Sequence, residues 1–232
     1  GRIAPFMRKV LVIHFSQTGQ LSDILSSIAA PLEKAEGIEV ARAYITPRKP
    51  YPFPWPFWKF FNTFPETVYE DADPVEISGA SLDDDYDLVI FGYQVWFLSP
   101  SLPATAFLDT PEAAKLFRDR PVITVIGCRN MWLMAQERMK ERLAKLGARL
   151  IDNVVLIDSA HSAFTFVSTP LWMLTGNRGP WLGGKIPEAG ISKTDIAAAS
   201  RFGEAIARHL PERGRNAGGS MLDGLGAVRI ND

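Results

Sequence analysis

Residues 9–25 read KVLVIHFSQTGQLSDIL, an apolar run that stops at a hydroxyl- and glycine-bearing turn and resumes with helical spacing. Residues 10–15 have the length and β-branched content of a strand buried on both faces. Leu21, Ile24, Leu25 and Ile28 then fall at i, i+3, i+4 and i+7, so a helix starts just after Gly19. Ser16, Gln17, Thr18, Gly19 and Gln20 are held between the strand end and the helix start. Backbone N–H groups there have no intrahelical partner, the helix dipole adds about half a positive charge, and Ser16 and Thr18 add hydroxyl donors. The turn reads as a seat for a phosphate.

The same alternation continues outward from this unit. Pro31 is expected to kink or end the first helix, and Gly37 precedes a second strand over 38–45. Further strands are expected at 86–93 (YDLVIFGY), 121–127 (PVITVIG) and 148–158. Helices are expected at 102–117, with Pro103 in the first turn, and at 131–146, closed by Gly147. A last helix begins at Ser192 with Asp195 three residues on, and carries Ile196, Ala199, Phe202 and Ile206 on one face. Strand and helix in strict turn predict an α/β fold with a parallel sheet covered on both sides. Ligands of such sheets bind at the carboxyl ends of the strands.

The chain of 232 residues, 47% hydrophobic, is long enough for one sizeable core. A single domain over 8–213 is expected, with residues 1–6, ahead of a candidate initiator Met7, as non-native leader and 214–232 as a flexible tail. Lys and Arg number 25 against 26 Asp and Glu, a balance that offers no long-range attraction to nucleic acid and no acidic surface for basic electron-transfer partners. The single cysteine, Cys128, excludes an internal disulfide framework and a Cys-rich metal site. It fits a reducing compartment, and the cytoplasm is the expected location. The short apolar run at the start fits neither a signal peptide nor a membrane span, which needs about twenty apolar residues.

Three loops in register with these strands carry a resemblance. SQTGQ at 16–20 resembles the S/T-x-T-G-x-T phosphate loop of the flavodoxin-like family. FGYQVWFLSPSLP at 91–103 resembles the loop after the third strand in flavodoxin-like reductases, usually G-x-P-x-W-x-G-x-x-P, and GCRNMW at 127–132 stands in the place of the loop after the fourth. The resemblance implies a three-layer sandwich with a five-stranded parallel sheet in the order 2-1-3-4-5, helices on both faces and FMN at the strand ends. Leu21 departs from the pattern, which has a hydroxyl there, with Ser22 beside it. Gln94 replaces a proline, and Phe97 and Leu98 replace small residues.

The resemblance implies that Trp96 and Trp132 sandwich the flavin ring, while Gln94, Val95, Phe97, Gly127, Cys128, Arg129 and Asn130 address its edge. Offset stacking of this kind is worth about 0.5–1.5 kcal/mol beyond buried area. Core or lid packing is the alternative for both tryptophans, and a solvated loop charge for Arg129. His161 is one of three histidines and follows the fifth strand, where it is expected to supply a proton. A Ser-His-Asp hydrolase is excluded by the lack of a G-x-S-x-G elbow. His14, within a strand, reads as a core histidine, and Asp83–Asp85 as a solvated turn; no metal site is expected.

Two stretches do not fit the repeat, residues 46–70 and 159–191. In the first, Pro50, Pro52, Pro54 and Pro56 alternate with aromatic residues, followed by Trp58, Phe60, Phe61 and Phe64. Such an arm can pack within the monomer or a homodimer, wall a substrate cavity, or touch a bilayer surface. Trp55 and Trp58 with Phe164 and Trp172 of the second stretch are the expected roof of an apolar substrate pocket. The arm is similar to that of flavodoxin-like sequences labelled dialkylresorcinol-condensing. Acyl condensation would call for a nucleophilic cysteine with paired histidines, so that likeness implies lipid-like or aromatic substrates rather than that chemistry.

The expected activity is an FMN oxidoreductase passing hydride from NAD(P)H through FMN to a hydrophobic quinone-like or unsaturated carbonyl substrate. A one-electron carrier of the flavodoxin type is the first alternative. A flavin-free module binding a lipid-like ligand or a protein is the second.

Overall fold

A computed structural model of the chain describes residues 7–15, 19–47, 75–96, 99–128, 132–157, 191–216 and 218–228. Seven strands form the sheet: β1 (Arg8–His14), β2 (Ile38–Pro47), β3 (Val75–Gly79), β4 (Leu88–Trp96), β5 (Ser99–Pro100), β6 (Pro121–Cys128) and β7 (Arg149–Ile157). Their order is β3-β2-β1-β4-β6-β7, with β5 paired to β4 off that path. The expected parallel core, 2-1-3-4-5 in chain order, is present as β2-β1-β4-β6-β7.

The expected count of five strands is corrected by two antiparallel additions. β3 returns after the aromatic arm and pairs along β2 from Pro47↔Val75 to Ala43↔Gly79. The strand VEISG is short, and the polar and charged residues ahead of it mask its alternation. It covers the edge that β2 would otherwise leave open. β5 is a two-residue pairing to the end of β4.

Successive strand residues point to opposite faces, and both faces are apolar. Val10 and Val12 face a core shared with α1 (Gln20–Lys34), α5 (Lys193–Ala198) and α6 (Ser200–Arg213). Leu11 and Ile13 face the other, shared with α2 (Leu102–Leu108), α3 (Pro111–Phe117) and α4 (Leu133–Lys145). Burial on both faces is why these strands read as continuous apolar runs.

Three helix expectations change. α1 continues through Pro31 to Lys34, because the missing N–H costs one ladder bond while Ile28, Ala29 and Leu32 stay buried in the core. The single helix over 102–117 is two, broken at Thr110, whose hydroxyl accepts from Ala113 N–H at 3.2 Å with Pro111 in the first turn of α3. The last helix starts as expected, Ser192 accepting from Asp195 N–H at 3.1 Å, but is interrupted at Ala199. On α6, a Cβ at Gly203 would stand 1.9 Å from Ile28 O, so this glycine sets the approach of α6 to α1.

Residues 218–228, read by composition as part of a flexible tail, pack along β7. Val155 N–H donates to Ala227 O at 2.8 Å, and Met221 N–H to the Asp152 carboxylate at 2.8 Å. Met221 and Leu222 are buried, which a glycine-rich composition conceals. No described helix is long and apolar enough to cross a membrane.

Candidate functional site

The carboxyl ends of β1, β4 and β6 lie side by side, His14 paired with Gly92 and Gln94 with Gly127. Chain order reverses at β1, which has β2 on one side and β4 on the other. Open parallel sheets bind ligands in the crevice at such a switch point.

α1 begins there with Gly19 as N-cap at φ 85°, a left-handed backbone that costs glycine little. Glycine brings no side chain to accept from the first-turn N–H groups, and the positive end of the helix dipole lies at this point. Asp23 N–H opens the helix ladder to Gly19 O at 3.1 Å. The exposed Asp23 carboxylate, in that first turn, sets a negative charge against an incoming anion. Leu21 is buried in the core against Gly92 rather than facing the helix end.

Gln20 has a different role from the one its loop position implies. Its Nε2 donates to Ile191 O at 3.2 Å and its Oε1 accepts from Ile191 N–H at 3.1 Å. The side chain is therefore a tether, and only the backbone of Gln20 belongs to the helix end. Ile191 also packs at Gly127, where a Cβ would lie 3.3 Å from both Ile191 Cδ1 and Ile24 Cδ1.

His14 closes β1 as a core residue, 3% exposed. Burial first, and the Arg42 guanidinium second, push its pKa down to about 4, so it is neutral at pH 7. The Tyr44 ring meets it edge-on at 5.5 Å, and its buried Nδ1 has no hydrogen-bond partner among the described residues.

At the end of β4, Val95↔Pro100 and Trp96↔Ser99 form an antiparallel pair where the sequence reads as loop. Ser101 N–H donates to Gln94 O at 2.8 Å. Ser101 is fully buried, and its hydroxyl has no partner among the described residues. At the end of β6, Trp132 precedes α4 and is 6% exposed within the core beneath that helix. Trp132, Ala135, Gln136, Met139 and Leu143 share the inward face of α4, so Trp132 packs in the core beneath that helix.

No protein-family model matches the chain, and no curated protein matches it. Among solved structures, a flavoprotein in complex with FMN from Lactobacillus acidophilus is 18% identical, with a TM-score of 0.49 over 64% of this chain and 93% of that one. Flavodoxin 1 from Bacillus cereus is 16% identical, with a TM-score of 0.44 over 87% and 99%. A flavodoxin, WrbA-like protein from Agrobacterium tumefaciens is 13% identical, with a TM-score of 0.42 over 89% and 99%. The parallel core β2-β1-β4-β6-β7, 2-1-3-4-5 in chain order, is the strand order of flavodoxin-like doubly wound sheets. The fold is flavodoxin-like.

Of the residues expected at the site of this flavodoxin-like fold, the structure describes Gly19, Gln20, Gln94, Val95, Gly127 and Trp132, with the backbones of Trp96 and Cys128. Ser16, Gln17, Thr18, Phe97, Arg129 and Asn130 lie outside the described residues, as do His161, Trp55, Trp58, Phe164 and Trp172. No group of residues suited to a metal ion occurs among the described residues. Sequence reasoning missed Ser101, Gln136 and Ile191. Only Gln136 carried a signal, a polar residue at an inward helical position.

Proposed function

We propose that the protein binds FMN at the carboxyl ends of β1, β4 and β6 and is an oxidoreductase. The observation that carries this reading is the glycine-capped start of α1 at the switch point between β1 and β4. A phosphate is the natural occupant of such a helix end. The first-turn backbone N–H groups, with Ser16 and Thr18, would hold the phosphate. Gln94, Val95 and Gly127, at the ends of the neighbouring strands, would border the ring.

Bound there, FMN supplies two-electron hydride chemistry, with NAD(P)H as donor and a hydrophobic quinone-like or unsaturated carbonyl compound as acceptor. His161 would hold the proton for the acceptor oxygen, and the aromatic residues of the arm would exclude water from an apolar substrate. A near-zero net charge supports an enzyme over a one-electron carrier that docks by charge.

A second reading, a flavin-free module for a lipid-like or protein ligand, is favoured by Leu21 in the core and by Asp23 in the first turn. Titrating the purified chain with FMN and following flavin absorbance and fluorescence separates the two. Saturable quenching that Thr18→Ala weakens supports the oxidoreductase. Absence of binding, with Thr18→Ala silent, sinks it in favour of the flavin-free module.

A further inference from the structure

A chain of side-chain hydrogen bonds crosses the core beneath α4. The Tyr93 hydroxyl donates to Gln136 Oε1, Gln136 Nε2 donates to Thr124 Oγ1 at 3.2 Å, and the Thr124 hydroxyl donates to Asn153 Oδ1 at 2.9 Å. Tyr93, Thr124 and Gln136 are buried, at 0%, 0% and 2% exposure. The chain joins β4, α4, β6 and β7, and each of its links has both partners in place.

Its position gives it meaning. Tyr93 adjoins Gln94, whose carbonyl accepts from Ser101 N–H at 2.8 Å, so one end of the chain fixes the end of β4. Gln136 N–H donates to Trp132 O at 2.9 Å and so closes the first turn of α4, the turn that follows the loop after β6. Gln136 thus ties the end of β4 to the first turn of α4. Hydrophobic contacts hold α4 to the sheet without fixing its register, because they are non-directional. Hydrogen bonds specify a geometry, and a fully satisfied buried network rigidifies what it joins. All the other inward residues of α4 are apolar, so packing alone does not account for a glutamine among them.

We propose that Gln136, through Tyr93 and Thr124, is a positioning residue that sets the first turn of α4 against the ends of β4 and β6, and with it the fit of the flavin ring. This rests on the FMN reading above. Gln136 touches no reacting atom; it acts through the two strand ends and the first turn of α4.

The test uses the full chain as wild type, Gln136→Leu, Tyr93→Phe and the double variant. Four properties are measured: FMN dissociation constant, spectrum of the bound flavin, its midpoint potential, and amide exchange of the flavin-free protein at the start of α4. Gln136→Leu is expected to weaken FMN about tenfold, shift the bound spectrum and potential, and speed exchange in the first turn of α4. Tyr93→Phe, which keeps the ring and loses one oxygen, is expected to move the same readouts in the same direction by less. The double variant should add little to Gln136→Leu if the chain acts as a unit.

A variant that folds and leaves affinity, spectrum, potential and exchange at wild-type values overturns the proposal. If Gln136→Leu fails to fold, Tyr93→Phe decides it by the same readouts. A wild type that binds no FMN removes the cofactor reading and this inference together, whereas FMN bound equally by wild type and variants removes this inference alone.

Discussion

The side-chain amide of Gln20 is hydrogen-bonded at both ends to the backbone of Ile191, donating at 3.2 Å and accepting at 3.1 Å. It thereby pairs with both the C=O and the N–H of that residue. The pair joins the first turn of α1 to the point where the chain returns after residues 159–190. Gln20→Ala removes both bonds from a buried site and is expected to cost about 1–3 kcal/mol of stability. Urea denaturation checks this, and an unchanged midpoint would mean that the tether carries no energy.

Trp132 lies in the core on the inward face of α4. Trp132→Ala is expected to cost about 3–5 kcal/mol, the range for emptying an aromatic site in a core. Trp132→Phe should cost less and still bind FMN. A flavin-stacking tryptophan would behave in the opposite manner, losing FMN on either change with little loss of melting temperature.

His14 makes stability depend on pH. Its pKa is about 4 in the folded protein against 6.5 unfolded, so between these values the unfolded chain binds more protons and stability rises with pH. The contribution is fully present above about pH 6.5 and is lost as pH falls towards 4, on the order of 3 kcal/mol in all. His14→Gln should flatten that part of the stability profile. A wild-type profile that is already flat between pH 4 and 6.5 would contradict the buried, neutral state of this histidine.

Gly203 lets α6 approach α1 where a Cβ would stand 1.9 Å from Ile28 O. The obstacle is backbone, so Gly203→Ala is expected to cost about 1–3 kcal/mol despite alanine's better helix propensity. Equal or higher stability of this variant by chemical denaturation would show that α6 can shift at no cost.

Much of the site's framework was legible in the sequence. Arg8–His14 and α1 follow from the run at 9–25, with Gly19 standing where the turn before the helix is read. Gly147 ends α4 at φ 77° as its position implies. What escaped had a common cause. β3 is short and gains its stability from pairing with β2, and the break at Thr110 looked like one helix because both halves bury an apolar face. Trp132 reads as a ring platform with core packing as the alternative, and its burial beneath α4 shows only once that helix is placed on the sheet.

The sequence by itself determined the alternation of strands and helices, the parallel core and the glycine-capped turn. These follow from periodicity and backbone preference, which act between chain neighbours. Only the tertiary structure decided that Gln20 is a tether, that Gln136 links β4 to β6 and that residues 218–228 cover β7. Each depends on a polar group finding its partner across the fold, for Gln20 across 171 positions. A buried polar group must be paired, and no local pattern names the partner.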